Sequence, residues 1–284
     1  MRVRRRAAAR VVWTAVLALW SLVCVGPLVW LTYNSLKTNA AVALNPWSLP
    51  ARPHFSNWAR VLTSASILPE PIGTYVVNSL VTGVPAAIGA VLVGSAAAYG
   101  LVRFRLRGSG VFWGFLLLLL PVPVFAVMVP VYSYMSALGL TNSRGGLLVV
   151  YFAFNLAFAI LLMRGFLHNV PKDIIEAASL DGCGEWGAFR RVVLPLARGP
   201  ILAAGLLIFL GIWGEFPLSS VMIQSPARMT IQPALASLAG SGLNPGNVGI
   251  EFSALALTTL VPVGIYLLTQ RHIFSAVTGS WGEA

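Results

Sequence analysis

Apolar residues in this sequence form long stretches that are almost free of charge and are separated by short polar segments. Six stretches stand out: residues 11–36, 72–102, 111–131, 145–163, 199–222 and 252–268. A helix needs roughly 17–25 apolar residues to cross a bilayer, and each stretch reaches about that length. The pattern therefore predicts an all-α, polytopic membrane protein with six transmembrane helices.

The polar segments divide the chain into five predicted regions. They are a cytoplasmic N-terminus (1–10), a first transmembrane helix (11–36), an extracytoplasmic loop (37–71), a five-helix core (72–270) and a cytoplasmic C-terminal tail (271–284). The first apolar stretch exceeds the roughly 7–15 residues of a secretory signal and contains no small-x-small cleavage site. We therefore expect it to remain as a membrane helix.

Prolines interrupt the third apolar stretch at Pro121, Pro123 and Pro130. At membrane depth, proline is tolerated where neighbouring groups or water satisfy the carbonyls that it leaves free. The stretch could therefore form a bent helix that lines a cavity or a helix with a simple kink, and the sequence leaves both open.

Composition excludes a soluble protein with a large core. Charged residues make up only 10% of the 284 residues, against about 25% in soluble domains. With six spans, 14 of the 19 Lys and Arg residues fall on the side of the two termini and 5 on the other. The positive-inside rule then places both termini in the cytoplasm. The net charge of +11 is thus explained by membrane topology, and we expect contact with lipid and none with nucleic acid.

The most highly charged interruption lies at residues 166–198, between the fourth and fifth predicted spans. Each charge at the centre of a membrane helix costs about 2.5–3.5 kcal/mol, so this segment must lie in water. Pro171 suits a first helical turn, Gly182 suits a helix end, and Pro195 ends or bends a second helix. The segment is therefore predicted to form two short helices.

Residues with catalytic or metal-binding patterns are sparse. His54, His168 and His272 are far apart in the sequence and lack metal-ligand spacing. The chain contains no Gly-x-Ser-x-Gly and no phosphate-binding glycine loop followed by Lys-Ser/Thr. We therefore expect no catalytic residue, no metal site and no cofactor in this chain, so any energy from nucleotide hydrolysis must come from a partner.

Glu215 is the one acidic residue inside a predicted span. An acid at membrane depth usually faces the bundle interior or a water-filled cavity, which makes it a candidate functional residue. The alternative is that Glu215 lies near the outer interface and caps a helix or pairs locally. Both interpretations remain open from the sequence.

The polar segment carries a spaced motif. Glu176-Ala177-Ala178 is followed after three residues by Gly182 and, after nine more, by Val192 and by Leu194-Pro195. This pattern resembles the EAA loop of ABC-importer permeases, in which a coupling helix sits in a cleft of the ATP-hydrolysing subunit. The resemblance implies ATPase-docking roles for the following residues: Glu176, Ala177, Ala178, Asp181, Gly182, Leu194 and Pro195.

Further resemblances extend over nearly the whole chain. They comprise Ser35-Leu36-Lys37, Asn78-Ser79-Leu80, Ala97-Ala98-Tyr99, Trp213-Gly214-Glu215-Phe216 and Gln270-Arg271. Together they resemble the MalG-like subunit of maltose-type carbohydrate importers and imply the six-helix, type I (MetI-like) permease fold. They suggest Asn78, Asn155, Trp213 and Glu215 as candidate translocation-path residues. Gly214 stands where the family commonly has asparagine.

The same resemblance implies a set of partners. These are a second, MalF-like permease subunit, two copies of a cytoplasmic ATPase that holds ATP and Mg, and an extracytoplasmic solute-binding protein. It also suggests that Gly279, Ser280 and Gly282 of the C-terminal tail contact the ATPase, although the chain lacks the family's usual basic-glycine ending.

The expected function is import of a mono-, di- or oligosaccharide across the bacterial plasma (inner) membrane, with no enzymatic activity in this chain. One alternative is an ABC permease for another solute, such as glycerol phosphate or a polyol. An ion-coupled secondary transporter usually shows internal repeats and several intramembrane charges, and this chain offers little beyond Glu215. A membrane-embedded enzyme should show clustered His, Asp or Cys, which the sequence lacks.

Overall fold

The computed structural model describes residues 2–65, 67–104, 107–168, 170–240 and 246–277. Over these residues the backbone is helical or irregular and contains no strand. The α-helices are α1 (Arg2–Ser35), α2 (Asn39–Leu44), α3 (Ser56–Thr63), α4 (Ile72–Arg103), α5 (Ser109–Leu119), α6 (Val124–Ala137), α7 (Arg144–Leu167), α8 (Lys172–Leu180), α9 (Glu185–Ala188), α10 (Leu194–Leu196), α11 (Arg198–Trp213), α12 (Pro217–Met222), α13 (Ile231–Gly240) and α14 (Val248–Val277).

Four helical segments are long and apolar enough to cross a membrane without interruption. They are Arg10–Ser35, Ile72–Arg103, Arg144–Leu167 and Val248–Gln270. Two bent pairs also qualify, Ser109–Leu119 with Val124–Ala137 and Glu185–Leu196 with Arg198–Trp213. Counting each pair as one span gives up to six within the described residues, which confirms the predicted all-α polytopic fold.

The third predicted span is a broken pair of helices. α5 and α6 are inclined by 100° to each other, and the break contains Pro121 and Pro123. Neither proline can donate a backbone hydrogen bond, so the helical ladder stops here. Pro130, by contrast, lies inside α6. A bend of this size exceeds an ordinary proline kink.

Residue proximity divides the chain into two units, and the first comprises Met1–Gly73 with Leu235–Val261. Here the ring of Trp30 contacts Trp47 and Phe252, with centroids 5.5 and 5.3 Å away. The buried Asn57 side chain donates hydrogen bonds to the carbonyls of Ser35 and Lys37. These bonds fix the residues that follow α1 against α3.

The second unit comprises Thr74–Ala234 with Pro262–Ala284. Close helix packing at small residues defines its interior, as is typical of membrane proteins. A Cβ added to Gly94 of α4 would lie 2.7 Å from the Ala159 Cβ and 3.1 Å from the backbone nitrogen of Ile160 in α7. The two backbones are therefore almost in contact at this point.

Candidate functional site

The segment between α7 and α11 contains the helix pair that the sequence predicts. Pro171 precedes α8 with φ −59° and ψ 132°, and it directs the chain into the helix without requiring a hydrogen-bond partner for a backbone N–H. Asp173 lies in the first turn of α8, where the helix dipole favours negative charge. The charged segment is thus ordered as a helix that begins next to the end of α7.

One face of α8 is exposed and the other is buried. Asp173, Glu176, Ala177 and Leu180 are exposed and follow the i, i+3, i+4, i+7 spacing of a single helical face. Leu180 is 89% exposed, although it is a large apolar residue outside the spans. Ile175 and Ala178 lie on the buried face. Of the docking residues suggested by the sequence, Glu176 and Ala177 are therefore accessible, whereas Ala178 packs inward.

α8 is terminated by Gly182, whose backbone adopts the left-handed conformation. Its φ is +79°, a region that costs an L-residue about 1–2 kcal/mol. The Cys183 N–H donates to the Ala178 carbonyl at 3.0 Å, and the Gly182 N–H donates to Ser179 at 3.1 Å. This pair of bonds is a Schellman motif, which satisfies carbonyls at the helix end. Asp181, just before the glycine, is exposed.

A second, irregular helix follows the turn. α9 continues into a π-helical turn at Phe189–Val193, in which the Leu194 N–H donates to the Phe189 carbonyl. Pro195 lies in the short α10 and has no N–H to donate. A bend of 75° then separates this helix from α11. Leu194 is half-buried and Pro195 is exposed, so both belong to the junction with the next span rather than to the exposed face of α8.

Glu185, the first residue of α9, is bound to the end of α4. The Arg103 guanidinium donates through Nε and Nη2 to Glu185 Oε1 at 3.2 and 3.1 Å, and through Nε to Oε2 at 3.3 Å. The Tyr99 hydroxyl donates to Oε2 at 2.9 Å. We call Tyr99, Arg103 and Glu185 the α4–α9 clamp.

Aromatic packing supports the clamp. The Phe189 ring is buried and lies 5.2 Å from the Tyr99 ring and 5.4 Å from the Trp186 ring, centroid to centroid. Such tilted aromatic pairs add to the stabilisation that burial gives. The start of α9 and the π-helical turn are therefore both attached to α4.

A cavity separates α8 from the end of α4. It has a volume of about 440 Å³, and its walls include Tyr99, Arg103, His168, Ile175 and Glu176. The segment between α7 and α11 is therefore bound directly to α4 at α9 and is less closely packed against α4 at α8.

A polar cluster lies at the other end of α4 and α7. The Asn78 amide donates to the carbonyls of Ala227 and Met229 at 3.1 and 2.9 Å. Arg144 Nη1 donates to Asn78 Oδ1 at 3.0 Å. Asn78, a candidate path residue, is 1% exposed. It holds the chain segment after α12 through these bonds.

Asn142 holds the same segment from the turn before α7. It adopts a positive φ of 49°, which asparagine tolerates better than most residues. Its Oδ1 accepts from the backbone N–H groups of Gln224 and Ser225 at 3.2 and 2.9 Å. The backbone N–H of Asn142 donates to the Met222 carbonyl at 2.7 Å. The segment after α12 is therefore fixed on two sides.

Glu215 caps a short helix. Its carboxylate accepts from the N–H groups of Leu218 and Ser219 at 2.6 and 3.1 Å, and from the Tyr151 hydroxyl at 2.9 Å. This geometry agrees with the second interpretation of Glu215, in which its carboxylate caps a helix locally. Trp213 is buried just before it, and the Asn155 amide donates to the Tyr151 carbonyl within α7.

Several contacts were not predicted from the sequence. Arg103 and Glu185 are separated by 82 residues, so their pairing has no signal in local spacing. The exposed position of Leu180 follows from helical periodicity and could have been found by projecting the α8 sequence on a helix. The tail residues Gly279, Ser280 and Gly282 lie outside the described residues. Over the described ranges, no three His, Cys, Asp or Glu residues are grouped as metal ligands would be.

The chain is similar to known transport proteins. Residues 90–277 match the family described as "Binding-protein-dependent transport system inner membrane component". The chain is 34% identical over 264 residues to a diacetylchitobiose uptake permease (NgcG) of Streptomyces coelicolor, covering 93% of this chain and 86% of the relative. It is 27% identical to a trehalose transport permease (SugB) of Mycobacterium tuberculosis, covering 89% and 90%.

The fold is also similar to that of a solved transporter. A chain in the crystal structure of a bacterial ABC transporter involved in the import of the acidic polysaccharide alginate superposes with a TM-score of 0.76 and 22% identity, covering 94% of this chain and 97% of that chain. This likeness supports the type I permease architecture. The family match over residues 90–277 and the 34% identical relative show that this protein belongs to the inner-membrane permease components of binding-protein-dependent ABC importers.

Proposed function

We propose that this chain is the membrane-spanning permease subunit of an ATP-driven sugar importer and that α8 docks on a cytoplasmic ATPase. The observation that carries the docking role is the exposed face of α8. It presents two acidic residues, Asp173 and Glu176, beside a small residue and the fully protruding Leu180. The motif spacing at Glu176-Ala177-Ala178 points this face towards a docking role, and Leu180 adds an apolar side chain on the same face whose burial against a partner would stabilise the contact.

The substrate proposal is supported by the relatives. Proteins named for uptake of diacetylchitobiose and trehalose match about nine-tenths of this chain. A permease named for sulfoquinovosyl glycerol, from Agrobacterium fabrum, is 28% identical over 255 residues. We therefore propose a glycoside substrate, with short oligosaccharides as the first class to test.

The proposed assembly contains further proteins. A second, MalF-like permease completes the pathway, two ATPase subunits hold ATP and Mg, and an extracytoplasmic binding protein delivers the sugar. The excess of basic residues at the α8 end supports a cytoplasmic location for this end and for both termini. The C-terminal residues Gly279, Ser280 and Gly282 are proposed to add a second ATPase contact.

In the proposed mechanism, α8 moves together with the ATPase on which it docks. Binding of ATP closes the ATPase dimer and moves the docked helix, and the bundle then changes from an inward-facing to an outward-facing arrangement. Asn78 and Glu215 are proposed to shape the translocation path because Asn78 holds the segment after α12 and Glu215 caps α12. Trp213 and Asn155 are proposed as further residues of this path. Glu215 supports the path through its cap on α12.

Co-purification with the genetically neighbouring or co-expressed ATPase and binding protein tests this function. The assembled complex is placed in proteoliposomes, and ATP hydrolysis is measured with diacetylchitobiose, trehalose, glycerol glycosides and glycerol phosphate. We expect one glycoside to stimulate hydrolysis together with the binding protein. Uptake that follows an ion gradient and ignores ATP would instead identify a secondary transporter and overturn the proposal.

A further inference from the structure

We propose that the α4–α9 clamp transmits the movement of the docking helix to span α4, with Arg103 and Glu185 as positioning residues. This inference rests on the proposed ATPase docking of α8. It adds a direct non-covalent route to α4, beside the packing of α8 on α9 and on the π-helical turn that follows it.

The location of the clamp is the first argument. Glu185 begins α9 immediately after the turn at Gly182 that ends α8. Its partners lie at the end of α4, 82 and 86 residues earlier in the chain. A displacement of α8 therefore reaches the clamp within five residues, before it reaches the bend that leads into α11.

The geometry is the second argument. Four donor–acceptor distances of 2.9–3.3 Å converge on one carboxylate, three from the Arg103 guanidinium and one from the Tyr99 hydroxyl. A planar guanidinium binding both oxygens fixes direction as well as distance. The buried Phe189 ring, tilted against the Tyr99 ring, adds a second contact between this segment and α4.

Exposure is the third argument. The side chains of Arg103 and Glu185 are 26% and 41% exposed. Ion pairs with this much solvent contact contribute little to overall stability. The well-formed geometry of the pair is consequently better explained by the need to hold α4 and α9 in register than by a need to stabilise the fold.

The cavity between α8 and α4 completes the argument. A cavity of about 440 Å³ lies between α8 and the Tyr99 and Arg103 side chains, so packing between α8 and α4 is incomplete there. Packed interfaces transmit displacement, whereas a gap absorbs it. Movement can therefore be delivered to α4 at Glu185, where contact is direct.

Charge exchange in the complete transporter tests the clamp. Arg103→Glu and Glu185→Arg are each compared with the double exchange. Arg107→Gln serves as the control because Arg107 is an exposed arginine between α4 and α5. We expect each single change to lower substrate uptake per ATP hydrolysed by about tenfold or more, whereas the ATPase still co-purifies in the normal ratio. The double exchange should recover most of the coupling. Normal coupling in both single variants would overturn the proposal.

A distance measurement decides the case in which none of the charge variants transports. Spin labels are placed at the exposed positions Arg107 and Arg190 after Cys24 and Cys183 have been replaced by serine. If the clamp is rigid, the distance between the two labels is the same in the nucleotide-free and the ATP-bound complex. In Arg103→Gln we expect an additional, broader distribution of this distance. A distance that changes with nucleotide in the otherwise native protein would overturn it.

These outcomes are separate from failure of the proposed function. If the native chain does not assemble with an ATPase, the docking role of α8 is wrong. If it assembles and transports normally but the labels move apart, only the clamp inference is wrong.

Discussion

The hydroxyl of Tyr151 donates a 2.9 Å hydrogen bond to Glu215 Oε2 and joins the middle of α7 to the cap of α12. Tyr151 is 2% exposed, so its loss would remove a buried donor from a charged acceptor. Tyr151→Phe is expected to lower stability by about 1–2 kcal/mol. The loss of stability is measured by thermal unfolding of the native protein and the variant in detergent. Tyr132→Phe is the control, because the Tyr132 hydroxyl only accepts an exposed 3.3 Å bond from Gln224, and an equal loss in both variants would contradict the prediction.

Gly182 is expected to tolerate asparagine better than valine. Its φ of +79° is strained for L-residues and most strained for a β-branched side chain. Gly182→Val should therefore distort the end of α8 and lower the amount of ATPase that co-purifies, whereas Gly182→Asn should retain most of it. Gly184→Ala is the matched control, because Gly184 has φ −66° and no atom near its added Cβ. Equal recovery of ATPase with valine and with alanine would count against the role of this turn.

Leu180 is expected to contribute directly to docking. Burial of a leucine side chain in a partner contributes about 1.5–3 kcal/mol, so Leu180→Ser should weaken ATPase binding by roughly tenfold or more. The thermal stability of the isolated chain should change little, because the residue is 89% exposed. Leu49→Ser, at a similarly exposed position in the segment after α1, should leave ATPase binding unchanged. Titration of the purified ATPase against both variants measures the difference.

Glu176→Lys tests the charge on the same face. Glu176 is exposed beside Ala177, so reversal of its charge should not affect insertion of the bundle. We expect uptake to be abolished while membrane expression remains normal. Transport assays in vesicles, normalised to the amount of inserted protein, provide the measurement. Native uptake rates would contradict the docking role of this face.

Two adjacent glycines at the start of α7 provide a stability test. A Cβ on Gly146 would overlap the Leu140 carbonyl oxygen, whereas a Cβ on Gly145 would meet no atom within 4 Å. Gly146→Ala is therefore expected to destabilise the protein by about 1–3 kcal/mol, and Gly145→Ala to be neutral or slightly stabilising. Unfolding midpoints of the two variants, measured side by side, decide this.

The membrane helices could be predicted from the sequence because the bilayer demands long apolar runs and internally satisfied backbone groups. The turn at Gly182 and the helix start after Pro171 could be predicted for a similar reason, since each depends on the backbone of one residue. The break between α5 and α6 was only partly predictable. Pro121 and Pro123 marked its position, but the angle depends on packing against neighbouring elements.

Long-range pairs could not be predicted in this way. The bonds from Arg103 to Glu185 and from Tyr151 to Glu215 join residues that are 82 and 64 positions apart. Helical periodicity determines which face of its own helix each residue occupies, but it contains no information about the neighbouring helix. From the sequence alone, Glu215 is equally consistent with a path residue and with a local cap, whereas the structure shows three hydrogen bonds to its carboxylate.

The close approach of Gly94 to Ala159 has a mechanical consequence. At this point no room remains for an added methyl group between α4 and α7, so we expect the two helices to move together. α7 leads directly into α8, and α4 binds Glu185 through Arg103. A movement of α8 and α9 would therefore act on both helices together. A larger residue at position 94 would push α4 and α7 apart, and the two helices would then be able to move independently.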